Sequence, residues 1–296
     1  MRKLLSRLFL PLAISASLAT FFITRAQGGN TELAVLVATL LTLAITLTLE
    51  RVMPFNAAWN RSQGDVATDV TSAVVLLGVI DPLLKFMAPI AVVFVYARFG
   101  AASPLPWLSE STPFALQLLV VTLLVELGRY AAHRLHHSNQ YLWWLHALHH
   151  GSERLYAFNN FRFHPLNYLI NFSVSLLPVM LLGASPDVIL AYLAISQPIL
   201  MIQHANIDLK SGWLNYVFST NEVHRWHHSS DATEANRNFG NAFVVWDILL
   251  GTFRHERGNA NAPRAIGLFA ASASYPRATS YFSQLKSAFS PDCCKA

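Results

Sequence analysis

Residues 114–137 read FALQLLVVTLLVELGRYAAHRLHH, and this stretch decides the fold. Phe114 to Tyr130 is an apolar run long enough to cross the hydrocarbon core of a bilayer as a helix, and it passes without a break into a histidine motif, HRLHH at 133–137. Imidazoles therefore sit at the end of a membrane helix. Working outward, apolar runs from Leu8 to Thr24 and Leu33 to Leu49 precede it, and runs from Leu166 to Leu182 and Val188 to Gln203 follow it. Gly183-Ala184-Ser185-Pro186-Asp187 between the last two is a turn signal, so these form a helical hairpin in the membrane. The run from Val66 to Ala97 is longer than one crossing needs and contains Asp81, Pro82 and Lys85; it reads as one broken span, with a hairpin as the alternative.

Composition agrees. With 53% hydrophobic and 12% charged residues in 296, the chain lacks the charge that keeps a soluble surface dispersed. The net charge of +5 is spread over single Lys and Arg residues with no basic stripe, which argues against nucleic acid and for loops facing an anionic leaflet. Cys293 and Cys294, adjacent near the C-terminus, form no disulfide framework, and metal ligands in this chain are not thiolates. Arg2, Lys3 and Arg7 before the first apolar run fit a signal peptide or a first membrane helix. The run exceeds a usual signal core and no small-residue cleavage site follows before Arg25, so a helix is expected. With the N-terminus inside, Arg51, Arg61, Arg129, Arg134, Arg154, Arg162, Lys210 and Arg225 fall inside, against Arg25 and Arg98 outside. The bias requires Val66 to Ala97 to cross once, and it puts every histidine motif on the cytoplasmic face.

Of 12 histidines, eight fall in three motifs: His133 and His137 in HRLHH, His146, His149 and His150 in HALHH, and His224, His227 and His228 in HRWHH. Spacings of three and four residues set rings side by side on one helix face. Imidazole suits iron, zinc, copper and nickel, and crowding this many rings without a metal is costly, since they repel when protonated. Eight ligands exceed one ion's needs and suit two, each with about four nitrogens and room for an exchangeable oxygen ligand. His136 lies on the wrong face for its neighbours and reads as a solvated or outer-sphere residue; His255, beyond the last motif, packs or is exposed.

The three motifs, in the order HxxxH, HxxHH, HxxHH with a hairpin between the second and third, resemble the fatty acid hydroxylase and sterol desaturase superfamily. Also matching are ELGRYAAHR leading into the first motif, FRFHP at 161–165, QHANI at 203–207 and NFGNAFVVWDILLGTF at 238–253, so the resemblance covers roughly Arg51 to Phe253. It implies an all-α, integral-membrane helical bundle with a cytoplasmic histidine-rich helical cap. It also implies two iron ions, with zinc as an occupant of isolated protein, O2, a lipid substrate and a separate electron donor of cytochrome or ferredoxin type. The expected organisation is membrane helices over 1–50, a catalytic domain over 51–257 and a tail over 258–296.

Two more histidines join the candidate ligands. His204 ends a membrane helix on the face of the motifs, where related enzymes carry a ligand-type His. His164 precedes Pro165, a good helix start, so a positioning role competes with ligation. Asp208 falls where some members of the family place another His; a carboxylate there ligates or orients, with capping of a helix as the commoner case. Glu126 is an ionisable group inside an apolar span, functional or paired with Arg129. Asn238, Asn241 and Asp247 are candidates to hydrogen-bond ligand imidazoles, with turn and capping roles as the alternative. The expected chemistry is hydroxylation or desaturation of a lipid C–H bond. A zinc transporter is disfavoured because the motifs lie at helix ends rather than at the bilayer midplane, and an inactive scaffold because all eight motif histidines are present.

Overall fold

A computed structural model describes residues 1–99, 112–256 and 262–289; Ser103, Gly258, Cys293 and Cys294 lie outside the described residues. The described residues are helical apart from loops and three isolated β-bridges. The long helices are α1 (Arg2–Ala26), α2 (Thr31–Val52), α3 (Val66–Val75) continued through a π-helical turn (Leu76–Ile80) into α4 (Asp81–Phe99), α5 (Phe114–Ser138), α6 (Gln140–His150), α7 (Pro165–Leu181) and α8 (Pro186–Gln203). Short helices α9 (Asn221–His227), α10 (Ala232–Ala235), α11 (Val245–Leu249) and α12 (Tyr281–Lys286) complete the cap. Five helices are long and apolar enough to cross a membrane, counting Val66–Arg98 as one, and α7 is a shorter apolar helix beside them.

Helix ends follow local chemistry. Asn30 accepts from Leu33 N to start α2, and Ser185 accepts from Val188 N ahead of Pro186 to start α8. Gly183, at φ +85°, takes the left-handed conformation that reverses the chain after α7. Val66–Arg98 is one continuous helix, long and apolar enough for a single crossing, rather than a broken or folded-back span. Its π turn sits just before Pro82, whose ring and missing N–H disturb the ladder one turn earlier, at Gly78.

α8 is the central helix, 56% enclosed against 28% or less for the other spans, and it packs on α1, α2 and α5. Ala191, Ala194, Ile199 and Ile202 along it are fully buried. α5 is clamped from its other side by α7. A Cβ placed on Gly128 would lie 2.1 Å from the Val174 carbonyl oxygen, so these backbones touch as small residues permit in a membrane, where packing rather than water expulsion joins helices. The expected hairpin partners α7 and α8 thus both seat on α5.

Arg2 donates to the Val52 carbonyl and the Lys210 amide to the Ser6 carbonyl, while at the opposite end Arg25 pairs with Asp187 at 2.8 Å. The start of α1, the ends of α2, α5 and α8, and the starts of α3 and α7 therefore share the face that carries the cap. The expected tail is no appendage over residues 262–289. Phe269 stacks on Trp143 at 4.8 Å, the Trp143 indole donates to Ser272 Oγ, and Tyr281 donates to the Phe163 carbonyl. Its buried Phe269, Tyr275 and Tyr281 make it part of the cap core.

Candidate metal centre

α5 carries His133 and His137 one turn apart on one face, and Asn139, capping α6 through the amides of Tyr141 and Leu142, turns the chain so that His146, His149 and His150 come back against them. α8 ends at Gln203, delivering His204, and α9, capped by Thr220, delivers His224, His227 and His228. The rings converge into two groups. His133, His137, His146, His150 and His227 form the first; His149, His204, His224 and His228 form the second; within each, one ligand atom per ring lies within 4.8 Å of all the others. All nine are buried except His133, which is partly so. The groups adjoin, with His150 and His228 stacked at 4.4 Å.

Hydrogen bonds at the back of the rings set their tautomers. His133 Nδ1 donates to the Phe239 carbonyl at 2.9 Å, His149 Nδ1 to the Arg162 carbonyl at 3.2 Å and His227 Nδ1 to the Arg237 carbonyl at 3.0 Å. His137, His146 and His204 use Nδ1 toward the Oδ1 atoms of Asn236, Asn167 and Asn159. The amide of Asn159 cannot be turned, because its Nδ2 donates to the Arg154 carbonyl and its Oδ1 accepts from the Tyr156 amide. His204 Nδ1 must therefore carry the proton.

A neutral ring protonated at Nδ1 presents a bare lone pair at Nε2. The Nε2 atoms converge: His133 on His146 at 3.1 Å, His137 on His150 at 3.2 Å, and His204 on His224 at 3.1 Å, while the buried Nε2 of His227 and the buried Nδ1 atoms of His150 and His224 have no partner. Protonation does not relieve this. Burial, reinforced by neighbouring imidazoles, pushes His204 down to about 3 and holds His146, His149, His150, His224 and His228 well below the ordinary imidazole range; burial brings His227 to about 4. Enclosed, converging imidazole nitrogens of this kind suit a metal cation, and neutral imidazole matches iron or zinc.

Other sequence candidates lie elsewhere. His164 stands outside both groups: it caps α7, its Nδ1 accepting from the Leu166 amide at 3.1 Å, and its ring also hydrogen-bonds the backbone at Leu285, so both nitrogens are in use. His136 is off the ligand face as expected but is not solvated; it is fully buried, with Nδ1 donating to the Ala132 carbonyl at 2.6 Å. His255 packs beside Tyr216 and Asn215. Asp208 pairs with Lys210 at the surface, because α8 has ended and helical spacing no longer returns a side chain to the same face.

Nor do the remaining polar candidates touch a ligand ring. Asn238 donates to the carbonyls of Val223 and Arg254, and Asp247 accepts from the amides of Phe239 and Gly240. Glu126 is not paired with Arg129; it accepts from Tyr192 and from the amides of Ala242 and Phe243, with Asn241 beside it. The residues that do hold the rings were missed. Three are backbone carbonyls, which leave no trace in a sequence, and the others are Asn159, Asn167 and Asn236. Asn167 had a signal, being an amide in the first turn of an apolar helix, where an unpartnered polar group is expensive.

Comparison with known proteins follows the same residues. The fatty acid hydroxylase family model matches residues 118–252, which contain all three motifs and His204. An ornithine lipid hydroxylase of Rhizobium tropici is 36% identical over 72% of this chain and 65% of its own length. An alkylglycerol monooxygenase of Caenorhabditis elegans is 25% identical over 61% of this chain and 35% of its own. For sphinganine C4-monooxygenase 2 of Arabidopsis thaliana the figures are 27%, 47% and 54%. The chain thus spans from about a third to just under two thirds of these relatives. No solved structure matches it significantly.

Proposed function

From a chain that belongs to the fatty acid hydroxylase and sterol desaturase superfamily, we propose a membrane-bound di-iron monooxygenase that hydroxylates a lipid C–H bond with O2 and electrons from a separate cytochrome- or ferredoxin-type donor. The observation that carries this reading is the pair of buried imidazole groups with converging ring nitrogens, such as His204 Nε2 and His224 Nε2 at 3.1 Å. His133, His137, His146, His150 and His227 would hold one ion, and His149, His204, His224 and His228 the other. Two bound irons supply the O2 activation and C–H oxidation for which protein side chains have no equivalent.

The chain's own contribution is positional. Outward Nδ1 hydrogen bonds hold His133, His137, His146, His149, His204 and His227 so that their Nε2 atoms need little reorganisation on binding, and the cap segments over α6 and α9 exclude water. A lipid reaches this level from the side. An apolar cavity of about 310 Å³ between α5 and α7, lined by Leu127, Ala131, Leu135, Leu142, Ile170 and Val174, runs up to Ala132, next in the chain to His133. Hydroxylation is favoured over desaturation because the named relatives are hydroxylases and monooxygenases, and an ornithine lipid is the first substrate to test because the relative at 36% identity is named for it. The Lys and Arg count assigns the capped face to the cytoplasm, where reductants are found. The test is elemental analysis of fresh, active protein together with turnover of an ornithine lipid and a plain phospholipid under a reducing system. Two irons per chain and a hydroxylated product are expected; less than about one metal per chain in active protein overturns the reading.

A further inference from the structure

Although α6 and α9 carry rings of both groups, the outer hydrogen bonds of the two groups go to different parts of the chain. For the second group, His149 and His204 lean on Arg162 and Asn159, both in the connection between α6 and α7. That connection is sewn to the start of the Val66–Arg98 helix. Asp69, with no exposed surface, accepts from the Arg162 guanidinium and from the Tyr156 hydroxyl. Asp65 takes Arg154 in a two-point pair at 2.6 and 2.8 Å, and its carbonyl accepts from Arg162. Ser72, one turn after Asp69, donates to the Phe161 carbonyl and accepts from the Phe163 amide.

Among the described residues, none of the hydrogen-bonded supports of the first group lies in that connection. His133, His137 and His227 lean on Phe239, Asn236 and Arg237, and His146 on Asn167. The 236–240 loop has its own acidic anchor: Asp247 accepts from the Phe239 amide at 2.8 Å, the Gly240 amide at 2.7 Å and the Thr252 hydroxyl at 2.7 Å. Its backbone has no slack, since a Cβ on Gly240 would lie 2.3 Å from the Phe243 carbonyl oxygen.

We infer that Asp69, with Asp65, is a positioning residue for the second metal position and Asp247 for the first, so that the two positions are assembled independently. The inference rests on the di-metal reading above. A buried carboxylate in a membrane helix is expensive and is kept where it pairs and orients something else. Here the ordered object is the backbone around Arg162 and Asn159, which fixes the tautomers of His149 and His204. Loss of an outer hydrogen-bonding partner of this kind weakens metal affinity about ten- to a hundredfold.

The experiment uses the full chain in detergent, loaded with iron and dialysed against a graded series of a competing chelator, with metal per chain counted and the melting temperature of the metal-free protein recorded alongside. In Asp69→Asn one of two irons should leave at about ten- to a hundredfold less chelator than in the wild type while the other is held as before, and Asp69→Glu should recover part of the loss. Asp247→Asn should release one iron likewise. Combining Asp69→Asn with His204→Ala should remove no further metal, whereas combining it with His227→Ala should remove the remainder. Asn159→Ala, which leaves both ion pairs intact, repeats the measurement if Asp69→Asn does not fold. Retention of both irons, or simultaneous loss of both, overturns independent assembly and leaves the acids a purely structural role. A wild-type protein that binds no iron overturns the di-metal reading itself, and this inference with it.

Discussion

His204 and His224 present their Nε2 atoms to each other at 3.1 Å, though one closes a membrane-length helix and the other lies in a short helix of the cap 20 residues later. The approach joins the bundle to the cap through the ligand set itself. His204 is therefore as much part of the centre as the motif histidines, and His204→Ala should drop bound iron from two per chain toward one and activity by about a hundredfold or more. Elemental analysis and product formation check this; unchanged iron would remove His204 from the ligand set.

His164 supplies the contrast. Its Nδ1 accepts from the Leu166 amide at the start of α7, which is the work of a helix cap. His164→Ala should keep both irons and cost about 1 kcal/mol of stability, and His164→Asn, which retains an acceptor, should restore most of it. Thermal melting with parallel iron counts separates the two roles. Loss of an iron in His164→Asn would make the residue a ligand after all.

These two histidines mark where the sequence was legible. Imidazoles at three- and four-residue spacing announce themselves because helical geometry fixes the face, so the convergence of the eight motif histidines was readable, and that of His204 followed from its place at a helix end together with the family resemblance. What orients them was not readable, because the Phe239, Arg162 and Arg237 acceptors are backbone carbonyls whose positions depend on loop folding. Asp208 was singled out from the family's pattern, with capping as its commoner role; α8 ends at Gln203, and the side chain pairs with Lys210 at the surface. His136 was read as solvated or outer-sphere; the structure buries it, with its ring centroid 5.3 Å from that of His146, while Leu135 beside it in the chain stays exposed. The membrane spans were legible from apolar run length, and the 262–289 packing was not, because its aromatic anchors are widely spaced and follow no helical period.

Gly128 tests how closely the bundle controls the centre. It lies where α5 meets the Val174 carbonyl, and α5 bears His133 and His137 while α7 bears Asn167, the support of His146. Gly128→Ala must push the two helices apart, at a cost of about 1–3 kcal/mol. It should loosen the first group before the second, seen as one iron lost at a lower chelator concentration. Wild-type melting and metal retention would show that the helix contact is dispensable.

Glu126 joins three elements: α5 carries it, Tyr192 of α8 donates to it at 2.7 Å, and the amides of Ala242 and Phe243 complete its shell. Removing the acceptor leaves those buried donors unpaired, about 1–3 kcal/mol for each such group. Glu126→Ala should therefore lower the melting temperature markedly, while Glu126→Gln, which keeps one carbonyl acceptor, should lower it less. Since no ligand ring touches Glu126, iron bound by correctly folded Glu126→Gln should stay at two per chain, and a selective loss of one iron would assign it a place in the centre.

The orientation of the whole assembly sets which compartment must supply electrons. The Lys and Arg bias proposes the cytoplasm for the capped face, and exposed positions on each face test it: Thr233 in the cap, and Gln27 in the turn after α1 at the end where Arg25 pairs with Asp187. With Cys293 and Cys294 replaced by Ser, Gln27→Cys and Thr233→Cys can each be exposed to a membrane-impermeant thiol reagent in intact cells and again after permeabilisation. Gln27→Cys should label in intact cells, and Thr233→Cys only once the membrane is opened. Ser152 and Ser229 on the capped face are unsuitable probes, being 3% and 1% exposed, so that a negative result there would reflect packing rather than sidedness. The reverse pattern would put the histidine groups outside, beyond the reach of cytoplasmic reductants, and would leave an oxygenase with no source of electrons on its own side of the membrane.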